Sequence, residues 1–505
     1  MSRISLIIYC FAALCLGIAC NSQSTTATAS APAEIPTASQ MANMEPEEEM
    51  TRNHKIEFEV KNFAGDYALI AFNQGASKLM HDTIPAQNGK FVLEGEDPLQ
   101  PGIYIVALPP SNTYFEFMLD RDQVFSVKTD TTDFVGTMQF EGSEQNEIFY
   151  EDIRFLSAQS ASMQSVQQQL QAATQGTPEY DKLVEERKNI NDAVLAFRAK
   201  LVQDHPTMLY GKVVNMMTDP VVPEAPQNAD GSPVDSLFGW KYTRARWLDQ
   251  IDFNEKGLVR TPTLEPKITQ YLERFTYQHP DSVIVSIDEI LGRAGQGNYE
   301  VFRYCLTTIF NKYVNIELMC WDKIFVHMAE TYYLNEHPMI DWPDSTMLAD
   351  MRERAVAMKP TICGEIAPDF TVNDGNGKPV SMHSIEAPYT IVYFWDYDCG
   401  HCKTETPKLV DAYKKHQKDG VALMTLSING DVDEWKDKLA KDYQFSGGIH
   451  TQDHRRQSGF DRYYDLRTTP RMFVLDKDKR IIAKRITAEQ LDQIFAFEKQ
   501  RKSAQ

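Results

Sequence analysis

The run Ile391-Val392-Tyr393-Phe394-Trp395, followed by Cys399-Gly400-His401-Cys402, constrains the fold of this chain more than any other feature. Consecutive apolar β-formers read as a buried strand, and Cys399–His416 carries on as a helix. Cys399 therefore opens a helix, where the macrodipole and the free N–H groups favour a thiolate. The two-residue spacer puts Cys402 one turn on, placed to attack a mixed disulfide at the first cysteine. A zinc site would want a second ligand pair at similar spacing, and the sequence offers none.

The surroundings alternate strands and helices, as a sheet layered with helices requires. Ile362–Phe370 and Pro379-Val380 flank an Asn373-Asp374-Gly375-Asn376-Gly377 turn. Thr390–Trp395 and Ala422–Ile428 read as buried strands, and Asp433–Asp442 as a helix. Met472–Asp476 and Arg480–Lys484 read as a hairpin, with Ala488–Lys499 as the closing helix. A peroxidase is the nearest rival chemistry on such a fold. Peroxiredoxins resemble one another in a threonine three residues before the reactive cysteine and a proline upstream; here that position is Asp396, and the proline is missing.

At 505 residues the chain exceeds one compact core. Arg3 and the apolar stretch Ile4–Ile18 end in Leu16-Gly17-Ile18-Ala19-Cys20, too short to span a bilayer. The pattern resembles a bacterial lipoprotein signal, which implies removal of residues 1–19 and lipidation of Cys20. A plain secretory peptide is the alternative; either implies export. Residues 20–52, rich in Ser, Thr, Ala, Pro and Glu, read as a flexible tether. Residues 53–143 carry period-two runs such as Ile56, Phe58 and Val60, broken by Asn88-Gly89 and Pro109-Pro110, which suggests a small antiparallel β domain. His81 and Asp82 read as surface or turn residues. Residues 144–355 change to helical periodicity, with one helix expected over Tyr299–Leu334. On that helix Cys305 and Cys320 would lie about 22 Å apart, beyond the roughly 7 Å a disulfide allows, so both read as core thiols unless the helix breaks near Asn315. Cys363, at the start of the last domain, reads as a structural thiol rather than a third redox group. The fold class is thus multidomain: a small antiparallel β domain, an α-helical middle and a C-terminal α/β domain over 356–505 that resembles thioredoxin. The net charge of -20 argues against nucleic acid.

Residues 363–500 resemble the membrane-tethered, periplasm-facing thioredoxin-like proteins of the cytochrome c maturation type, within the alkyl hydroperoxide reductase/thiol-specific antioxidant superfamily. The resemblance rests on Ala367-Pro368-Asp369-Phe370, on Phe394 through Pro407, and on Thr468-Thr469-Pro470. Across the whole chain, Arg260-Thr261-Pro262, His279-Pro280-Asp281-Ser282 and Phe325-Val326-His327 resemble the helical middle of exported lipoproteins that join such domains.

The resemblance implies that Cys399 attacks and Cys402 resolves. It makes Pro470 a cis-proline presenting the Thr469 backbone to substrate, Pro407 a helix kink, and Glu405 a proton acceptor for the resolving thiol. Trp395 and Gly400 fall in the matched motif. His401 beside the nucleophile should stabilise the thiolate and make the couple less reducing than thioredoxin's Cys-Gly-Pro-Cys. Two departures oppose a simple transfer: thioredoxin's buried aspartate is Tyr393, and the usual tryptophan before the first cysteine is Asp398, whose charge disfavours a thiolate. The expected partners are protein thiols or disulfides and a membrane thiol reductant, with no metal and no cofactor beyond the Cys399–Cys402 disulfide. The expected location is the periplasm-facing envelope of a Gram-negative bacterium. The alternative is an envelope binding or scaffold lipoprotein whose upstream domains recognise a partner and whose redox activity is secondary.

Overall fold

A computed structural model describes residues 53–111, 113–316, 318–335, 339–443, 447–464, 466 and 468–503. The leader, Cys20 and the tether lie outside them. The chain divides into two compact units, one holding residues up to 277 with 285–308, the other 278–284 with 309–505. No helix among the described residues is long and apolar enough to cross a membrane.

In the first unit, eight strands form two four-stranded sheets. β1 (His54–Lys61), β4 (Lys90–Gly95), β7 (Val124–Asp130) and β8 (Gln139–Glu141) make one, in the order β4-β1-β7-β8. β2 (Tyr67–Gln74), β3 (Ser77–Pro85), β5 (Gly102–Leu108) and β6 (Thr113–Leu119) make the other, in the order β3-β2-β5-β6. Alternation on β1 buries Ile56, Phe58 and Val60. Phe58 stacks on Phe91 at 4.8 Å and meets Phe117 of the other sheet edge-on at 5.5 Å, so the aromatic core lies between the sheets. One pairing departs from the antiparallel expectation: β1 runs parallel to β7. His81 lies on the exposed strand β3.

The helices that follow include α1 (Phe134–Thr137), α2 (Glu144–Ala172), α3 (Pro178–Asp204), α4 (Leu209–Met217), α5 (Phe238–Arg246), α6 (Leu264–Arg274), α7 (Pro280–Gly295) and α8 (Tyr299–Tyr313). Buried Asp152 of α2 joins them, 3.3 Å from Arg198 of α3 and accepting from Tyr210 of α4 at 2.5 Å. The multidomain class, with β sheets, a helical middle and a C-terminal thioredoxin-like sheet, is borne out.

The single helix expected over Tyr299–Leu334 is corrected. α8 stops at Tyr313, Cys320 adopts a left-handed backbone (φ 67°), and α9 begins at Asp322 and runs to Met328. The break frees Cys320 to bond Cys363, with a Cα–Cα distance of 5.5 Å. Cys320 is therefore not a core thiol, and Cys363 is not free. Cys305 remains a fully buried free thiol, its pKa pushed up to about 12 by burial. Close to the disulfide, buried Asp322 and Lys484 form an ion pair, and Lys484 also donates to the Thr361 carbonyl at 2.6 Å. α10 (Ser345–Met358) leads into the C-terminal domain.

That domain is a seven-stranded sheet in the order β10-β9-β13-β12-β11-β14-β15. Its strands are β9 (Thr371–Asp374), β10 (Pro379–Ser381), β11 (Tyr389–Trp395), β12 (Val421–Ser427), β13 (Ile449–Gln452), β14 (Arg471–Asp476) and β15 (Ile481–Lys484). β11, β12 and β13 run parallel, while β14 is antiparallel to β11. Every residue of β11 is buried because both faces are covered. Ile391, Tyr393 and Trp395 pack on one side with α11 (Gly400–His416) and α13 (Leu491–Ser503), α12 being Val432–Lys438. Val392 and Phe394 pack on the other with Phe370, Tyr464 and Phe473.

Candidate active site

Strand β11 ends at Trp395, and Asp396-Tyr397-Asp398 turns the chain into α11. Cys399 is the N-cap of that helix, its backbone N–H bonded to the Asp396 carbonyl at 3.2 Å. Its side chain is partly exposed, while Cys402 is fully buried in the core that holds Trp395. Both are free thiols.

Position makes the two thiols chemically unequal. Burial pushes the Cys399 thiol up. Hydrogen bonds with Thr469, with the backbone and thiol of Cys402 and with the His401 backbone outweigh that effect, so the group titrates below the ordinary cysteine value. Burial pushes Cys402 up to about 12, only partly offset by the Asp396 backbone N–H, which lies 3.5 Å from its sulfur. An accessible, acidified thiol stands beside a buried, protonated one. The first is primed as nucleophile; the second holds its proton until a bond forms next to it.

The Thr469–Pro470 bond is cis, and the Thr469 carbonyl lies 3.4 Å from Cys399 Sγ. Pro407 sits inside α11. Tyr393 is buried, its hydroxyl 3.0 Å from Thr406 Oγ1. His401 is exposed on the first turn. Gly400 has a negative φ, and a Cβ there would meet nothing within 4 Å, so neither backbone nor space demands glycine. The Asp398 carboxylate lies 3.8 Å from Lys403 Nζ.

Glu405 Oε1 accepts from the Ala488 backbone N–H and so ties α11 to the Ala488–Gln490 turn. Sequence reasoning missed Asp396 as the residue whose backbone reaches Cys402. The Asp-Tyr-Asp tripeptide between strand and first cysteine was the available signal.

Fold and site together define a thioredoxin-like thiol–disulfide oxidoreductase domain. Residues 363–484 match the AhpC/TSA family. Residues 54–149 match a domain of unknown function, DUF4369, and residues 198–356 another, DUF5106. Among curated proteins, a thiol-disulfide oxidoreductase ResA of Bacillus cereus is 27% identical over 135 residues, covering 26% of this chain and 74% of that protein. The chloroplastic peroxiredoxin Q of Sedum lineare is 31% identical over 97 residues, covering 19% of this chain and 50% of that protein. A solved domain of a possible thiol-disulfide isomerase from Cytophaga hutchinsonii is 33% identical, covering 28% of this chain and 97% of that one, with a TM-score of 0.27.

Proposed function

We propose that this protein exchanges disulfides with protein thiols through Cys399 and Cys402, at the periplasm-facing side of a Gram-negative envelope to which lipidated Cys20 tethers it. The observation that carries the reading is the pairing of a partly exposed thiol held below its ordinary pKa with a buried thiol pushed up to about 12, one helical turn away.

Acting as a reductant, the Cys399 thiolate attacks a substrate disulfide, forming one S–S bond and releasing one substrate thiolate. Cys402 then loses its proton and attacks Cys399 Sγ. The Cys399–Cys402 bond forms, the mixed disulfide breaks, and the second substrate thiolate leaves. The protein pair is oxidised by two electrons and the substrate reduced by two; a membrane thiol reductant would reset it. Thr469 and Pro470 border the nucleophile, where an extended substrate strand would find backbone groups. Glu405 serves by anchoring the active-site helix. Trp395 walls the buried thiol, and exposed His401 stabilises the thiolate from the first turn.

Cys402→Ser removes the resolving step and should trap substrates on Cys399 as mixed disulfides that Cys399→Ser cannot form. If envelope partners bind equally well when both cysteines are absent, and nothing is trapped, a binding role takes the place of redox exchange.

A further inference from the structure

The nucleophile's surroundings leave one cluster unused. The Asp396 carboxylate spreads over two partners: Oδ1 accepts from the Asp398 backbone N–H at 2.8 Å, and Oδ2 accepts from Asn429 Nδ2 at 2.9 Å. Asn429 follows β12, and its own carbonyl accepts from the Ser427 hydroxyl at 3.2 Å. Ser427 lies in register with Trp395 across the β11–β12 pair, and its hydroxyl is also 3.1 Å from His454 Nε2. A second pin joins the same two loops. The Tyr397 hydroxyl accepts from the Asp431 backbone N–H at 2.8 Å and donates to Glu434 at 3.2 Å. Between them, Gly430 has a φ of +106°, and a Cβ there would come within 2.1 Å of the Tyr397 hydroxyl. The loop carrying Asp396 is therefore clamped at two points to the loop carrying Asn429.

The same residue whose side chain is clamped aims its backbone N–H at Cys402 Sγ and offers its carbonyl to the Cys399 N–H. A hydrogen bond donated to sulfur favours the thiolate, and for Cys402 it opposes the dominant effect of burial. From this juxtaposition we propose that Asp396 and Asn429 are positioning residues for the resolving step: the side-chain clamp holds the Asp396 amide on Cys402 so that this buried thiol can lose its proton when the mixed disulfide forms. The proposal rests on the assignment of Cys399 as nucleophile and Cys402 as resolving thiol. The chemical step is the one given above, with the Cys402 proton leaving as the Cys399–Cys402 bond forms and the substrate thiolate departs. The clamp neither donates nor accepts that proton; it sets the geometry of a backbone donor.

Charged and titratable groups around this point include Asp396, Asp398, Lys403, Asp431, Glu434, Asp453 and His454. The Asp396 carboxylate on its own disfavours a nearby thiolate, so deleting it would mix two opposing effects. Asn429→Ala removes the clamp and leaves every one of these charges in place.

The test uses the reduced, purified full chain mixed with oxidised glutathione, quenched in acid and resolved by mass spectrometry. It follows separately the appearance and the decay of the glutathione adduct on Cys399. In Asn429→Ala, decay should slow about tenfold, and the midpoint of its pH profile should rise by about one pH unit, as loss of one hydrogen bond to a charged group implies. Adduct formation should change by less than about threefold. Asn429→Gln, long enough to reach the same carboxylate, should decay within about threefold of the parent, which guards against a mere folding defect. Unchanged decay in Asn429→Ala, or formation and decay slowed by the same factor, overturns the positioning role. A parent protein that forms no adduct on Cys399 overturns the redox assignment itself, and the positioning role with it.

Discussion

Removing the Cys320–Cys363 bond should weaken the C-terminal unit without touching its chemistry. The bond spans a sequence separation of 43, for which the loop-entropy relation gives about 4 kcal/mol at 25 °C. Part of the effect is offset if the reduced, unfolded chain retains structure, so the expected loss for Cys320→Ala with Cys363→Ala is about 2–4 kcal/mol. The native contacts beside the bond persist in the variant. Lys484 still pairs with Asp322, and Arg485 still reaches the Ile316 carbonyl at 3.4 Å, so the loss falls mainly on the unfolded ensemble. Buried Cys402 supplies a local probe. In a Cys399→Ser background, its alkylation in rising urea reports unfolding of the domain that contains it, independently of the other unit. The urea midpoint should fall with the slope unchanged. A loss below about 1 kcal/mol would refute the loop-entropy reasoning. A changed slope would show instead that the bond shapes the native or unfolded ensemble.

Three further outcomes follow from the same contacts. Asp322→Ala leaves the Lys484 ammonium buried without its counter-charge and should cost about 3–5 kcal/mol; adding Lys484→Met should recover part of that in a double-mutant cycle, and strict additivity would contradict the pairing. Cys399 alkylation should lose rate as pH falls through a midpoint below the ordinary cysteine value, whereas Cys402 in Cys399→Ser should gain rate only toward pH 12. A common midpoint for both thiols would disprove their inequality. Lys267, pushed down to about 8 by burial, binds fewer protons folded than unfolded between about pH 8 and the ordinary lysine range. Stability of the first unit should therefore climb with pH across that window, and Lys267→Met should flatten the slope in urea titrations.

The parts of this molecule legible in the sequence are those fixed by local chemistry. The unbroken apolar run before Cys399 announces a strand covered on both faces, and alternation at Ile56, Phe58 and Val60 announces a half-buried one. What escaped depends on partners far along the chain. Helical periodicity continues past Tyr313, and although Asn315 offers a break point, nothing local shows that Cys320 meets Cys363. β3 exposes all but Ile84 and carries no alternation to detect. β13, Ile449-His450-Thr451-Gln452, is short and mixed in polarity, and its strand character comes from its pairing with β12. Spacing places Glu405 one turn beyond Cys402, and the contact of its Oε1 with Ala488 is set by the packing of the C-terminal turn. Asp396 looks like an ordinary loop carboxylate until Asn429 is brought beside it.

The most direct test of the central claim is the redox equilibrium of the purified chain in glutathione buffers, with each cysteine assigned by mass spectrometry. Cys399 and Cys402 should pass together through a single two-electron transition, at a potential above the roughly −270 mV of thioredoxin. Separate glutathione adducts on the two cysteines, with no bond formed between them at any poise, would contradict the account.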